Sequence, residues 1–393
     1  MQNTEKGTPT EIVLVGGGHS HVEVIRRFGL RPLPAARLTV ICTDAQTPYS
    51  GMLPGYVAGH YEADDIHIDL PRLADWAGVR FVQDEVVGID RQARTVRCAS
   101  GLEMRYDYLS LNIGSAPRMG DVAAADSPAV PVKPIRNFRR RWLDLLQRVC
   151  THREPSTTIA VVGAGAGGVE LLLAMQHRLR REIRASGRQP DQLRFHLFTS
   201  SAQILPTHAA RVRERFMSAL AERGVMLHLG VKVGHVRGGH IETRNGVSVD
   251  ADEIVWVTQA GGAPWLRDTG LALDPDGFVQ VDDNLRTVSD ERIFAAGDVA
   301  SLVSRPLAKA GVFAVRQGPI LAENLRRAAL GQALLRYRPQ RRWLALITTG
   351  ERYAVASWGP LGVAGHWVWR WKDAIDRRFM ARYRELPARR ASA

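Results

Sequence analysis

The sequence predicts a doubly wound α/β fold built twice over, and three observations carry that expectation. An apolar run, Ile12-Val13-Leu14-Val15, ends in Gly16-Gly17-Gly18-His19-Ser20-His21 and opens a segment of helical pattern. A second run, Ile159-Ala160-Val161-Val162, ends in Gly163-Ala164-Gly165-Ala166-Gly167-Gly168 and does the same. A third, Arg292-Ile293-Phe294-Ala295-Ala296, ends at Gly297-Asp298. A buried strand that stops at Gly-x-Gly presents bare backbone N–H groups at a helix N-terminus, the geometry that receives a dinucleotide pyrophosphate. Two such turns predict two Rossmann-like dinucleotide-binding domains. Two dinucleotides in one protein suggest a flavin reduced by a nicotinamide.

The remaining elements follow the same alternation. Residues 12–16 and 38–42 read as parallel strands around a helix at about 20–28, the first βαβ unit. The stretch 47–55, Thr-Pro-Tyr-Ser-Gly-Met-Leu-Pro-Gly, is a loop rich in turn formers. Short strands are expected at 79–89 and 95–98, and another at 106–115, ending at Gly114-Ser115. Pro, Gly and Ala over 116–134 mark a crossing to the second unit. There a helix at 142–149 precedes the second βαβ unit, with its helix at about 169–185 and its next strand at 195–199. A helix at 209–223, strands at 226–229 and 253–258, and a helix at 311–330 complete the pattern. The expected division is 1–118 and 283–335 for the two parts of the first unit, 119–282 for the second unit, and 336–393 for an α/β tail of different character. The first unit is expected to be complete before that tail begins.

Composition sets bounds. Hydrophobic content of 45% and charged content of 24% are those of an ordinary globular chain, and 393 residues suffice for two or three domains. The three cysteines, Cys42, Cys98 and Cys150, show no metal-like spacing or CxxC pair, so neither a metal nor a disulfide framework is expected and buried apolar roles are. The polar stretch Met1–Glu11 has no apolar segment of signal-peptide type, and no run approaches the length of a spanning helix. The expected location is therefore cytoplasmic. The net charge of +13 is compatible with coding bias or with an anionic partner. Its distribution favours a membrane surface over nucleic acid, which is not expected as a partner. Trp343, Trp358, Trp367, Trp369 and Trp371 lie in the tail among Lys372, Arg377, Arg378 and Arg382. Such a segment can lie in the plane of an anionic membrane, here the inner face of the cell membrane, or pack on the core or on a second copy in a homo-oligomer.

The order of these motifs resembles the flavin-dependent pyridine-nucleotide oxidoreductase superfamily, two-domain flavoproteins of glutathione-reductase type. Within it the chain is most similar to type II NADH dehydrogenases. The Gly16–His21 turn and the 47–55 loop resemble the subgroup found N-terminal to selenide, water dikinase. The resemblance implies FAD as cofactor and NAD(P)H as substrate. It implies that Gly16, Gly18, His19 and Ser20 approach the FAD pyrophosphate and flavin. Val86 would face the adenine, and Ser50 and Gly114 would border the isoalloxazine side. Gly297 and Asp298 would meet the central portion, and N–H groups near Val312 and Phe313 would point at the ring. Gly163, Gly165 and Gly168 would seat NAD(P)H, with Thr199 at its ribose and Glu170 near the nicotinamide as the catalytic candidate.

Four departures from the family pattern matter. His21 stands where the third glycine of the first turn is usual, so the helix could sit differently against the strand. Cys42 stands where an acid is usual, and Asp44 two positions on could reach the FAD ribose. Thr199-Ser200-Ser201 stands where an acid would favour NADH, which leaves NADPH open. Gly311-Val312 replaces the Ala-Gln of the quinone-side motif, although Gln317 remains nearby. The expected function is an FAD-dependent NAD(P)H oxidoreductase that passes hydride to FAD and electrons on to a quinone or another acceptor. The rival is a flavin-binding scaffold tied to selenium metabolism with little turnover of its own.

Overall fold

The computed structural model describes residues 8–117, 129–151, 156–258 and 260–388. Its first unit is built on an eight-stranded sheet. Thr10–Val15 lies in its interior, third from one edge, parallel to Ala36–Cys42 on one side and to Tyr108–Leu111 on the other. Asp290–Ala295 continues the sheet in parallel beside Tyr108–Leu111. The chain therefore leaves this sheet after residue 111 and re-enters it, taking up Val279–Val281 just ahead of residue 283. The second unit has a five-stranded parallel sheet in the order Ala129–Pro131, Glu253–Trp256, Thr157–Val162, Leu193–Phe198, Val225–His228. Both sheets place the first strand of a βαβ unit in the interior, where burial on both faces accounts for the continuous apolar runs.

Most expected elements stand close to their expected bounds, with instructive differences. The stretch 79–89 is two strands, Arg80–Gln83 in the first sheet and Val86–Asp90 in a separate antiparallel meander. Asp84 and Glu85 turn the chain between them, and periodicity alone did not show that break. The helix at 142–149 is longer, Ile135–Thr151, because Phe138 joins Trp142, Leu145 and Val149 on its buried face. Most of the 116–134 crossing lies outside the described residues.

The helix Ala166–Ala185 buries Leu171, Leu172 and Leu173 in succession, because it is covered on more than one side. The second sheet lies on one side of it. The tail hairpin lies on another, close enough that a Cβ on Gly350 would strike the Leu173 carbonyl. The tail is a three-stranded antiparallel sheet, Ala345–Thr348, Ala354–Trp358 and Leu361–Gly365, followed by the helix His366–Arg384. That helix buries Val368, Phe379, Met380 and Tyr383. Tyr383 donates to Glu23 Oε2 at 3.1 Å, and Arg26 Nε donates to the Arg382 carbonyl at 3.0 Å. The expectation that the first unit is complete before the tail is corrected: the tail helix closes part of that unit's core.

Candidate active site between two glycine-rich turns

In the first turn the glycines are required by space. Gly16 has φ +93°, and a Cβ there would lie 2.6 Å from the Asn112 carbonyl; a Cβ on Gly18 would strike the Asn112 side chain. Asn112 Oδ1 accepts the N–H groups of Ser20 and His21, at 3.1 and 3.2 Å, and its amide donates to the Ala296 carbonyl at 2.6 Å. One side chain thus ties together the first turn and the strand end at Gly297. The backbone N–H of Gly17 meets the Cys42 thiol, and that of His19 takes no acceptor among the described residues. That open donor at a helix N-terminus, beside a Gly114 whose missing Cβ faces open space, fits a pyrophosphate. The FAD assignment of Ser20 is corrected: it is fully buried and its hydroxyl donates to the Ala314 carbonyl at 2.7 Å, so it joins two helices instead.

His21 solves the packing problem its presence raises. Its Nδ1 lies 2.7 Å from the Gly16 carbonyl and its Nε2 2.8 Å from Ser110 Oγ. The carbonyl can only accept, so Nδ1 carries the proton and Nε2 accepts from the serine. The ring is wholly buried, and burial holds its pKa down to about 4 against the pull of the Gly16 carbonyl. His19 faces the other way. Its Nε2 is buried without a partner among the described residues, its ring meets Tyr49 edge-on at 5.4 Å, and burial lowers its pKa to about 4. Asp298 and Lys133 both act on it, so His19 stands beside that pair. An orphaned nitrogen at this spot suits a ligand atom.

Asp298 accepts from Lys133 Nζ at 2.6 Å, and Ser115 Oγ lies 3.4 Å away. Lys133 precedes the helix Ile135–Thr151 of the second unit, so this ion pair spans the two units. Gly297 has φ +73°, and its N–H donates to Gln317 Oε1 at 2.6 Å. Gln317 is therefore engaged in holding the strand end. The helix Gly311–Ala329 starts against Ser50, whose Oγ lies 3.6 Å from where a Gly311 Cβ would be. Phe313 N–H turns back to the Ala310 carbonyl at 3.0 Å, and the Phe313 ring is buried against Trp343. The donors left at this helix start are those of Gly311 and Val312. Asp44 accepts from Arg136 at 2.8 Å, and Val86 opens the meander in register with Cys98.

The second turn divides its glycines by role. Gly163, at φ +121°, lies against the Val257 carbonyl, where a Cβ would approach to 2.7 Å. A Cβ on Gly168 would strike the Gly163 carbonyl, so that position keeps helix and strand close. Gly165, the N-cap of Ala166–Ala185, has nothing within 4 Å of its missing Cβ. That open approach to backbone is what a second pyrophosphate needs. One turn into this helix, Glu170 Oε1 accepts from both the N–H and the hydroxyl of Thr348, each at 2.8 Å. Withdrawal from water raises the Glu170 pKa, while the Lys372 charge and the Thr348 donors pull it back.

Lys372 is a group that reading the sequence did not place here. It sits on the buried face of the tail helix, with Nζ 2.6 Å from the Gly51 carbonyl and 2.6 Å from Asp376 Oδ2. Asp376 in turn faces the Tyr49 hydroxyl, and Tyr49 stacks on Phe379 at 4.4 Å. Burial drives the Tyr49 pKa up, and Asp376 adds to it. The tail helix thus joins the 47–55 loop of the first unit to the Glu170 helix of the second. An i, i+4 Lys–Asp pair on the face that also carries Val368 and Phe379 was the available signal. The three cysteines are free and apart; Cys98 is buried as expected, but Cys150 is exposed. Among the described residues no cluster could hold a metal ion.

Two dinucleotide turns brought together around one set of ionisable side chains define the class of a two-dinucleotide oxidoreductase. The chain belongs to the pyridine nucleotide-disulphide oxidoreductase family, whose model matches residues 10–324. It is an NAD(P)H oxidoreductase by that membership, and FAD as cofactor with NAD(P)H as substrate goes with it. Among its relatives, the NADH dehydrogenase-like protein YutJ of Bacillus subtilis is 24% identical over 342 residues, 84% of this chain and 87% of that protein. The type II NADH:quinone oxidoreductase of Haemophilus influenzae is 23% identical over 74% of each chain. The sulfide:quinone oxidoreductase of Aquifex aeolicus shares the fold, with a TM-score of 0.80 at 18% identity over 97% of this chain and 93% of that one.

Proposed function

We propose that the protein is an NAD(P)H dehydrogenase that carries FAD at the first turn, takes NAD(P)H at the second, and passes electrons to a quinone. The observation that carries this reading is the charge of Lys372, held on Gly51, acting on Glu170, held by Thr348. Residues of the nicotinamide-side helix and of the flavin-side loop meet there through the tail helix. Bound FAD supplies the two-electron relay between hydride donor and acceptor. The chain supplies position and charge. Gly165 would admit the nicotinamide dinucleotide to close range, Asp298 and the open N–H of His19 would hold the flavin dinucleotide, and the start of Gly311–Ala329 would turn a positive dipole end toward it. Lys372 and Asp376 hold a proton pair beside the 47–55 loop. The quinone assignment rests on the relatives named for that acceptor.

The tail supports attachment to a membrane surface. No helix among the described residues is long and apolar enough to cross one. The exposed side of the tail helix carries Trp367, Trp371 and Ile375, and the adjoining hairpin exposes Trp358, Leu361 and Val363. Aromatic and aliphatic side chains interleaved with Arg370, Arg378 and Arg382 suit the headgroup boundary of an anionic bilayer.

The test is anaerobic mixing of the purified protein with NADH or NADPH while flavin absorbance is followed, then addition of a short-chain quinone. Bleaching by nicotinamide and recovery with quinone support the reading. Recovery with another oxidant but not with quinone overturns the acceptor. A yellow protein that no nicotinamide bleaches overturns the dehydrogenase assignment and favours the scaffold.

A further inference from the structure

We infer that the second turn takes NADPH in preference to NADH, with Lys232 as the residue that recognises the 2′-phosphate. The inference rests on the reading of that turn as the nicotinamide-dinucleotide site and deepens it. The strand Leu193–Phe198 lies next to the turn strand Thr157–Val162, and the adenosine ribose of a dinucleotide seated on Gly165 comes to the C-terminal end of that neighbour. Thr199, Ser200 and Ser201 stand at this end, and a carboxylate that would bind the free 2′-hydroxyl and repel a phosphate is missing from all three positions.

What surrounds this end is cationic and hydroxylic. The Thr199 carbonyl accepts from Val231 N–H at 2.8 Å, so Lys232 follows directly on a residue bonded to the strand end. Arg244 N–H donates to the Lys232 carbonyl at 3.0 Å, which sets the two cations opposite each other across a ladder. Val233 and Thr243, the next pair in register, are buried, whereas Lys232 and Arg244 are both exposed. Neither makes an ion pair among the described residues. The acid on the same strand, Glu242, forms no ion pair with either cation among the described residues and stands opposite His235 in the ladder. Two unpaired cations side by side repel, and a dianionic phosphate between them and the strand end relieves that repulsion. Thr199 Oγ1 accepts from Ser201 N–H at 3.2 Å, which leaves its own proton free to donate to a phosphate oxygen.

The test is calorimetric titration of the flavin-loaded protein with adenosine 2′,5′-bisphosphate and with AMP, together with anaerobic flavin reduction by NADPH and NADH. The bisphosphate should bind at least about tenfold more tightly than AMP, with a margin that narrows as salt is raised. Lys232→Glu should abolish the margin and leave AMP binding unchanged, Lys232→Arg should retain it, and Thr199→Asp should move reduction toward NADH. Unchanged melting temperature and flavin content show that the exposed substitution has not unfolded the protein. Equal affinity for the two ligands, with flavin still reduced by NADH, overturns this inference and leaves the dehydrogenase reading standing. Absence of binding by both ligands, with no reduction by either nicotinamide, overturns both.

Discussion

Thr348 holds Glu170 with two donors on one oxygen, its backbone N–H and its hydroxyl, each at 2.8 Å. The two residues lie on different parts of the chain, the hairpin of the tail and the helix of the second turn. Thr348→Val keeps the shape and removes the hydroxyl donor. The Glu170 pKa, already raised by withdrawal from water, should rise further once the hydroxyl that favours the carboxylate is gone. The pH profile of flavin reduction by nicotinamide should move upward with it, and an unmoved profile would separate Glu170 from the reaction. Glu170→Gln should slow reduction at least about tenfold while leaving FAD bound.

Asp298→Ala should lower the flavin content of purified protein. It removes an acceptor from the first site and leaves Lys133 unpaired at the junction of the two units. The affinity for FAD should fall at least about tenfold, read from flavin absorbance per protein after desalting. Release of FMN rather than FAD on denaturation would show that the first turn holds no pyrophosphate.

His21 makes acid stability testable. Its folded pKa, about 4, lies below the ordinary histidine value, so its contribution is present in full above pH 6.5 and is lost as pH falls through about 4. The largest loss from this group is ~3 kcal/mol. His21→Gln should flatten the fall in urea midpoint between pH 7 and pH 4.5, at a cost of about 1–3 kcal/mol at pH 7 from imperfect replacement of the bonds to Gly16 and Ser110. A fall of the same size in the variant would assign the acid sensitivity to other groups.

Replacing Trp367 and Trp371 by Ser should abolish co-sedimentation with anionic vesicles and leave FAD in place, because both rings are exposed. Added salt should weaken the parent's binding. Deleting the chain after Gly362 is a different experiment. It removes Lys372 from Gly51 and Phe379 from Tyr49, so it should lower flavin retention as well. A truncated protein that keeps its full flavin content would show that the tail helix only covers the site.

The two turns and the strand end at Gly297 were legible because each is local: an apolar run, then glycines, then a helical pattern. The separate duties of the glycines were not legible: all three of the second turn read as seating NAD(P)H, whereas Gly163 and Gly168 are required by packing and Gly165 stands open. The inward role of Ser20 was not legible, since nothing in the first turn reveals that Ala314, almost three hundred positions on, supplies its acceptor. Lys133 and Arg136 escaped notice for the same reason; each pairs with an acid of the other unit. Thr348 lies in a segment read only as part of a basic, Trp-rich tail. Lys372 and Asp376 were seen as surface charge because composition does not distinguish a charge facing water from one facing a carbonyl.

Trp371 and Lys372 are consecutive residues of one helix, the first exposed and the second buried. They differ by about 100° around its axis, and a helix is stiff over so short a distance. A single step of backbone therefore turns from an aromatic ring on the outside to an ammonium resting on the Gly51 carbonyl. The tail helix thus has a surface face and a site face, and substitutions on the first leave the contacts of the second in place.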